Sequence, residues 1–294
     1  MRLLVVGANG MLAHDVLRAG ERAGHDLVGV DLPEVDITVP EQVDELVERV
    51  QSEEGGLDGV VNCAAWTDVD GAEGNEDAAR AVNAGGAGNI ARACARAGIR
   101  MVHVSTDYVF DGQAPLGSDG RPRAYVESDP TGPRSAYGRT KLEGEEQVRA
   151  ASPKHTIART AWLYGVDGKN FVETMLRLAG ERDAVQVVTD QQGSPTWSGH
   201  LAPALLGLIE RGVYGLVHLT GAGWVSWNGF AKEIFRQAEV ECRVQDATSE
   251  QMARPAPRPA WSALDSERED VLPMPPWQDG LAGYMAARNG MMRQ

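Results

Sequence analysis

The chain is 294 residues long and 43% hydrophobic, which suits one large α/β unit or an α/β domain that carries a smaller partner domain. It is acidic, since 28 Lys and Arg residues stand against 42 Asp and Glu residues and give a formal net charge of -14. A surface this acidic repels phosphate backbones, so we expect no nucleic-acid partner. An anionic small ligand would need local arginines or helix N-termini to overcome the negative field.

Cysteine usage and hydropathy indicate the compartment. Cys63, Cys94 and Cys242 form no C-x-x-C pair, so neither a disulfide framework nor a zinc site is predicted. The chain opens directly into a strand pattern, which leaves no room for the apolar region of a signal peptide, and no apolar stretch is long enough to span a bilayer. We therefore expect a cytoplasmic protein without a membrane partner.

Short apolar strands alternate with helical segments through the first half of the chain. Between the strands, residues 11–23 have the spacing of an amphipathic helix and residues 78–97 are rich in alanine and other small residues. This alternation predicts an α/β fold with a Rossmann-type, doubly wound parallel sheet. The predicted strands are Leu3–Val6, Leu27–Val30, Gly59–Cys63, Met101–Ser105 and Thr156–Arg159.

The pattern becomes less regular beyond residue 160, where Pro, Gly and Trp are frequent. We predict that residues 1–160 form the Rossmann domain and that residues 161–294 are mainly a second, smaller α/β lobe that binds the substrate. Elements near 180–212 and 228–250 are expected to return to the Rossmann domain. Interleaving of this kind would place the substrate in the cleft between the two parts.

A glycine-rich turn joins the first strand to the first helix. Gly7 and Gly10 permit a tight turn and close backbone approach to a pyrophosphate, which the helix N-terminus stabilises. Asp31 ends the second strand, where it can accept a hydrogen bond from an adenosine ribose and disfavour a 2′-phosphate. A packing turn and a turn-forming Asp are the structural alternatives. The predicted cofactor contacts are Gly7, Asn9, Gly10, Met11, Leu12, Asp31, Asp36, Ile37, Cys63, Ala64, Ala65 and Thr67.

Tyr137 and Lys141 are four residues apart, so they lie one turn apart on one face of a helix. A neighbouring ammonium favours phenolate, and Lys141 is therefore predicted to lower the pKa of Tyr137 towards the working pH. Ser105 and Thr106 follow an apolar strand and put a hydroxyl on the ligand side of the sheet. A surface Tyr–Lys pair and a strand-ending turn are the structural alternatives.

The glycine-rich turn, Thr106 and Tyr137-x-x-x-Lys141 together resemble the extended short-chain dehydrogenase/reductase family, whose members act largely on nucleotide sugars. Within that family, segments spanning nearly the whole chain resemble the dTDP-4-dehydrorhamnose reductases. These segments are Asn62–Ala65, Val69–Glu73, Val82–Ala84, Ser105–Gly112, Glu127–Pro130, Tyr137–Glu145, Asp190–Thr196 and Arg258–Asp265.

The resemblance implies that NADPH or NADH, with the preference open, delivers hydride to the C4 keto group of dTDP-4-dehydro-6-deoxy-L-mannose to give dTDP-L-rhamnose. Tyr137 would give the proton to the developing alkoxide, Thr106 would hydrogen-bond that oxygen, and Lys141 would tune Tyr137 and hold the nicotinamide ribose. Arg258 would meet the diphosphate, with a structural ion pair as the alternative. The resemblance also implies that Asn83 lies near the cofactor and that the substrate contacts are Asp107, Tyr108, Val109, Trp162, Asn170 and Arg258.

Four rival functions follow from the same residues. Sugar-nucleotide dehydratases resemble this chain but place a Glu where Tyr108 stands, so the second acid/base group for elimination is missing and plain reduction is favoured. Epimerases reuse the same Thr, Tyr and Lys, and only the closer resemblance argues against them. A sister deoxysugar reductase of a secondary-metabolite pathway is compatible with the same motifs, and so is a non-catalytic, cofactor-binding regulatory subunit.

Some members of the reductase family dimerise through Mg²⁺ held by carboxylates from the first helix and elsewhere. This chain offers Asp15 in that helix, but the stretch Trp197–His200 holds no acidic residue. We therefore expect no bridging Mg²⁺ and a monomer or weak homodimer. His200 has no second His or Cys near it, so a loop or cap role is predicted for it.

Overall fold

Strands and helices alternate through the first half of the chain, as the sequence predicts. The computed structural model describes residues 1–291, and residues 292–294 of the predicted lobe lie outside the described part. The strands are β1 (Arg2–Val6), β2 (Asp26–Val30), β3 (Gly59–Asn62), β4 (Arg100–Thr106), β5 (His155–Thr160), β6 (Leu163–Tyr164), β7 (Ala184–Val188), β8 (Gln192–Gly193), β9 (Thr196–Trp197), β10 (Gly215–His218), β11 (Val225–Ser226), β12 (Arg243–Ala247) and β13 (Trp261–Ser262).

Ten α-helices within residues 1–291 are numbered in chain order. They are α1 (Met11–Arg22), α2 (Pro40–Ser52), α3 (Val69–Gly74), α4 (Glu76–Arg80), α5 (Ala87–Ala97), α6 (Ala136–Ala151), α7 (Phe171–Glu181), α8 (Ser198–Arg211), α9 (Trp227–Ala238) and α10 (Trp277–Met291). A π-helical turn over Ala81–Gly86 joins α4 to α5, and a 3-10 turn over Asp107–Val109 follows β4. Within residues 1–291, no helix has the combination of length and apolarity that a bilayer crossing requires.

Six strands form one parallel sheet in the order β10-β5-β4-β3-β1-β2. The chain moves outward from β1 to β2 and then crosses back to β3 on the other side of β1. This reversal creates a switch point between the carboxyl ends of β1 and β3, where doubly wound sheets bind their ligands. The predicted fold class is confirmed, together with the five strands predicted in the first half.

Helices cover both faces of the sheet, because successive side chains of a strand point to opposite faces. On β1, Leu4 and Val6 pack with α2, α5 and α6, whereas Leu3 and Val5 pack with α1 and α8. All four side chains are buried. A strand buried on both faces has a continuous apolar sequence, which is why this segment is so clearly predicted.

A second apolar cluster lies outside the sheet and is built from three separated stretches of the chain, with Tyr164, Phe230 and Tyr284 in it. It draws on α7, β7, α9 and α10, and β12 pairs with β7. The elements that return to the sheet are α8 and β10. The structure therefore differs from the predicted return near 228–250, since α9 and β12 pack with β7 in this second cluster.

A buried ion pair fixes α6 against the sheet. Glu145 accepts from Ser105 Oγ at 2.6 Å and from Arg159 Nε and Nη2 at 2.8 and 2.7 Å. The Arg159 and Glu145 side chains are 3% and 0% exposed, so water does not screen the interaction. Because Ser105 lies on β4 and Arg159 on β5, one carboxylate joins a helix to two neighbouring strands.

We expect Glu145→Ala to lower the free energy of unfolding by about 3–5 kcal/mol, because it leaves the Arg159 guanidinium buried without its partner. Urea unfolding near neutral pH measures the loss. Glu181→Ala is the matched control, since Glu181 pairs with Arg177 on an exposed helix face and should contribute about 0–1 kcal/mol. Equal, small losses in the two variants would show that the buried pair does not stabilise the fold.

Candidate active site

A cavity of about 670 Å³ opens at the switch point of the sheet. Its floor is formed by the carboxyl ends of β1, β3 and β4, and its far wall by residues of the second cluster. The predicted site residues that line it are Gly7, Gly10, Met11, Leu12, Asp31, Asp36, Ile37, Cys63, Ala64, Ala65, Thr67, Thr106, Asp107, Tyr108, Tyr137, Lys141 and Trp162. One cavity therefore collects most of the positions that the sequence singled out.

The glycine-rich turn has the geometry that its residues require. Gly7 has φ +82°, and a Cβ there would lie 2.7 Å from the backbone nitrogen of Ala64. Any side chain at this position would clash with the end of β3. Gly10 caps the N-terminus of α1, so the first turn of the helix, Met11 and Leu12, faces the cavity. This end of the cavity suits the pyrophosphate of a dinucleotide.

Asp31 supports the turn and also lines the cavity. Its Oδ2 accepts from the backbone nitrogen of Asn9 at 2.9 Å, and its Oδ1 accepts from the backbone nitrogen of Leu32 at 2.7 Å. Both the turn-forming and the ligand-facing interpretations of Asp31 thus fit the structure. Asn9 takes part in this turn through its backbone nitrogen, and it does not line the cavity.

Two further predicted cofactor residues have other surroundings. Cys63 lines the cavity, but burial raises the pKa of its thiol to about 12, so the thiol stays protonated and weakly reactive. Asn83 does not line the cavity. Its Oδ1 accepts from the backbone nitrogen of Trp66 at 2.8 Å, and its Nδ2 donates to Thr140 Oγ1 at 3.0 Å. Asn83 therefore joins the segment after β3 to α6.

Tyr137 stands at the start of α6, on the cavity wall. Ser135 caps this helix by accepting from the backbone nitrogen of Gly138 at 3.1 Å, which fixes where its first turn begins. Burial raises the pKa of Tyr137 to about 12, while a hydrogen bond with the Thr106 hydroxyl opposes the rise. The predicted lowering of this pKa is not seen, because desolvation outweighs the neighbouring groups. The phenol is protonated at neutral pH, as a proton donor must be.

Lys141 lies one turn further along α6 and is 2% exposed. Its Nζ donates to the backbone oxygen of Val104 at 2.7 Å, so the ammonium is anchored to β4 and not to the Tyr137 phenol. Burial lowers the pKa of Lys141 to about 8. The lysine therefore changes its protonation close to neutral pH.

Thr106 and Asp107 form a hydrogen-bonded pair at the end of β4. Thr106 Oγ1 donates to Asp107 Oδ1 at 2.9 Å and accepts from the backbone nitrogen of Tyr108 at 3.2 Å. Asp107 is 3% exposed, and burial raises its pKa to about 6. Within the described part of the chain, its Oδ2 has no hydrogen-bond partner. The pair thus offers one hydroxyl and one unused carboxyl oxygen.

Arg258 forms an ion pair, while its Nη1 is buried without a hydrogen-bond partner among residues 1–291. Its Nη2 lies 3.0 Å from Asp70 Oδ2, and its guanidinium lies 6.0 Å from the ring centroid of Tyr108. It does not line the cavity, and its contact with a diphosphate stays a prediction. The Tyr108 ring in turn meets the Tyr137 ring edge-on, with centroids 5.5 Å apart. Arg258 therefore supports the wall of the cavity from behind.

Val109 and Asn170, predicted at the substrate, also lie away from the cavity. Val109 is buried in an apolar cluster. Asn170 caps α7, since its Oδ1 accepts from the backbone nitrogen of Glu173 at 3.0 Å and its Nδ2 donates to the backbone oxygen of Gly165 at 2.7 Å. The side-chain oxygen and nitrogen of Asn170 both form hydrogen bonds within the protein, which explains why a polar residue occupies this position.

Trp162 brings an aromatic wall to the cavity. It has φ +46°, a backbone conformation that is rare for a bulky residue and is held by the surrounding packing. Its ring stacks on Trp227, with centroids 3.5 Å apart and planes 5° apart. Sequence reasoning missed Trp227 and Lys169, which also line the cavity. The frequency of tryptophan in the second half of the chain is the one sequence signal that could have indicated an aromatic wall.

Asp15, the acidic residue of the first helix, is engaged within the protein. Its Oδ2 accepts from Ser198 Oγ at 2.5 Å, and its Oδ1 pairs with Arg18 Nη2 at 2.8 Å. Across residues 1–291, His, Cys, Asp and Glu form no group of three or more that could hold a metal ion. Asp15 therefore joins α1 to the start of α8.

Asp107→Asn should stabilise the protein at pH 8. The folded-state pKa of Asp107 is raised to about 6 from the ordinary value of 3.8, so stability is lost as the pH rises through this interval and the carboxyl ionises. The amide stays neutral, and we expect a gain of about 1–3 kcal/mol at pH 8 that shrinks towards pH 4. Urea unfolding at both pH values measures it.

Asp111→Asn is the matched control. The Tyr125 hydroxyl lowers the pKa of Asp111, so its charged form contributes stability above that pKa and the amide should destabilise the protein at pH 8. If Asp107→Asn destabilised the protein at pH 8 as Asp111→Asn does, the buried carboxyl of Asp107 would not carry a cost of ionisation.

Comparisons with known proteins agree with this geometry. The family model described as RmlD substrate binding domain matches residues 1–289. The chain is 44% identical over 292 residues to a dTDP-4-dehydrorhamnose reductase of Mycobacterium tuberculosis, covering 97% of this chain and 93% of the relative. It is 40% identical over 285 residues to a dTDP-4-keto-6-deoxy-D-glucose reductase of Streptomyces niveus, covering 95% of each.

A solved structure extends the likeness to three dimensions. The crystal structure of the dTDP-4-dehydrorhamnose reductase from Bacillus anthracis in complex with NADP superposes with a TM-score of 0.91 at 36% identity, covering 97% of this chain and 99% of that one. The resemblance inferred from sequence is thereby confirmed, and the chain belongs to the dTDP-4-dehydrorhamnose reductase family.

Proposed function

We propose that the protein uses NADPH or NADH to reduce the C4 keto group of dTDP-4-dehydro-6-deoxy-L-mannose to the hydroxyl of dTDP-L-rhamnose. The observation that carries the proposal is the meeting of Tyr137, Lys141 and Thr106 at one end of a cavity whose other end is the glycine-rich turn. Membership of the reductase family and the NADP complex of the Bacillus anthracis enzyme support it.

The cavity residues fit a nicotinamide dinucleotide. At Gly7 the turn lies so close to the end of β3 that no side chain fits, and α1 directs its N-terminal turn to the same part of the cavity. Asp31 lies at the adenosine end and Tyr137 at the reacting end. A reduced nicotinamide bound there supplies the hydride. Lys141 and Lys169 provide positive charge along the cavity of an otherwise acidic protein.

Tyr137 supplies the proton in this proposal. Hydride addition converts the ketone carbon to an alkoxide, and transfer of the phenol proton to that oxygen completes the alcohol. Thr106 hydrogen-bonds the same oxygen once its hydroxyl turns away from Asp107, while the Lys141 ammonium stabilises the phenolate that remains. Asp107, Tyr108 and the Trp162 ring are left to contact the sugar.

The second cluster, within residues 161–294, closes the cavity and is proposed to bind the sugar nucleotide. Asp107 is not followed by a second carboxylate, because Tyr108 stands in the next position, and this favours reduction over dehydration. A related deoxysugar is the second candidate substrate, since the Streptomyces niveus relative is a dTDP-4-keto-6-deoxy-D-glucose reductase. A monomer or weak homodimer in the cytoplasm stays the expectation from the sequence.

Product analysis decides between the two sugars. The protein is incubated with NADPH and, in parallel, with dTDP-4-dehydro-L-rhamnose or dTDP-4-keto-6-deoxy-D-glucose, and the nucleotide sugars are separated. We expect dTDP-L-rhamnose from the first substrate. Turnover of the second substrate alone would support the reductase activity but contradict the assigned sugar. Binding of NADPH without its oxidation in the presence of either substrate would favour a regulatory subunit.

Tyr137→Phe should lower kcat by at least about 100-fold, because it removes the phenol proton while keeping the ring. Binding of NADPH, followed by its fluorescence, should be unchanged. Tyr214→Phe is the control, since Tyr214 is 36% exposed and lies outside the cavity. Unchanged turnover in Tyr137→Phe would rule out this residue as the proton donor.

Asp31→Ala should reduce the preference for NADH over NADPH by about tenfold, because it removes the carboxylate that repels a 2′-phosphate. The ratio of kcat/KM for the two cofactors measures the preference. Asp31→Asn keeps an oxygen for the turn, so an equal change in this variant would assign the effect to charge. The same discrimination in all three proteins would show that Asp31 is not the selector.

A further inference from the structure

A chain of three buried polar side chains lies behind the cavity and ends at Lys141. Asn62 ends β3, His103 lies in the middle of β4, and both are at most 1% exposed. Asn62 Nδ2 lies 3.0 Å from His103 Nδ1, and His103 Nε2 lies 3.4 Å from Lys141 Nζ. Asn62 and His103 do not line the cavity. The proposed reaction leaves both side chains without a role.

The orientation of the Asn62 amide is fixed by the backbone. Its Oδ1 accepts from the backbone nitrogen of Ala64 at 3.0 Å, so its amino group is the atom that faces His103 Nδ1. An amino group only donates, and His103 Nδ1 must therefore accept. Burial and the nearby Lys141 charge lower the pKa of His103 well below its ordinary value, so the ring is neutral. Its single proton is then on Nε2.

This tautomer affects Lys141 directly. The Nε2–H of His103 points at Nζ, and an ammonium has three donors but no acceptor, whereas a neutral amine has a lone pair. The contact therefore favours the amine. If the lysine is charged, a donor meets a donor either here or, with the other tautomer, between His103 and Asn62. With a charged lysine, the three side chains together therefore have one more donor than they have acceptors for it.

The other groups around Lys141 act in both directions. Desolvation lowers its pKa, while the charge of Glu145 on the next turn of α6 and Cys63, just after β3, oppose this. The carbonyl of Val104 accepts from either protonation state. Tyr137 lies one turn before it and is protonated near neutral pH. Among these neighbours, His103 is the one whose effect depends on which of its atoms carries a proton.

We propose that Asn62 and His103 are positioning residues that fix the imidazole tautomer and thereby hold Lys141 between its amine and ammonium forms near the working pH. The kinetic consequence rests on the proposed reductase function, in which the ammonium stabilises the Tyr137 phenolate. Reduction should then fall as the pH rises and Lys141 loses its proton. The tautomer itself does not depend on activity.

Asn62→Asp tests the proposal with almost no change in shape. One carboxylate oxygen still accepts from Ala64, and the other now faces His103 Nδ1, which must become the donor. The Nε2 lone pair then faces Lys141 and favours the ammonium. We expect the pKa of Lys141 and the alkaline limb of the kcat profile to move up by about one pH unit or more.

Two measurements on the full chain separate the possible outcomes. ¹⁵N NMR of histidine-labelled protein should show the His103 proton on Nε2 in the wild type and on Nδ1 in Asn62→Asp. The ¹³Cε shift of Lys141, titrated with pH, gives its pKa without any turnover. A wild-type ring protonated on Nδ1 would overturn the proposal even if the variant failed to fold.

A control for the negative charge that Asn62→Asp introduces is the same substitution in a His103→Phe background. There the carboxylate remains but no imidazole connects it to Lys141, so the shift should be less than half of that in Asn62→Asp. An equal shift in both backgrounds would assign the effect to charge alone and overturn the proposal. If the protein reduced neither sugar while the NMR results held, the proposed function would fail and the tautomer assignment would stand.

Discussion

The carboxylate of Glu145 anchors the helix face that carries the proposed catalytic residues. Lys141 lies one turn before it on α6 and Tyr137 two turns before it, so all three side chains share that face. Its partners are Ser105, next to Thr106 on β4, and Arg159 on β5. Desolvating these charges is costly, and nearly complete pairing offsets the cost. Together with the Ser135 cap and the contact of Lys141 with Val104, this ion pair fixes α6 relative to β4 and β5.

The dryness that strengthens the ion pair also sets the protonation of the site. Without water, neutral forms are favoured, so the pKa values of Tyr137 and Asp107 rise while those of Lys141 and His103 fall. The site thus holds acids that keep their protons and bases that release them easily. A phenol with a raised pKa stays protonated until a strong base, such as an alkoxide, forms beside it.

The sequence predicted those features that depend on local physics. Apolar runs predicted the strands of the sheet, Gly7 reported a backbone that cannot carry a side chain, and the spacing of Tyr137 and Lys141 reported one helix face. Long-range pairing was out of reach, because no local pattern shows that Arg258 meets Asp70. The sequence also did not show that burial raises the pKa of Tyr137, because this rise depends on how much water the fold removes from the phenol.

The path of the chain through the second cluster limits how this cluster could be exchanged between proteins. Its apolar core draws on side chains near Tyr164, Phe230 and Tyr284, and between these stretches the chain returns to the sheet through α8 and β10. No single contiguous segment of the chain therefore contains the cluster. Moving it to another protein would require several separate crossovers, each placed so that α8 and β10 stay with the sheet.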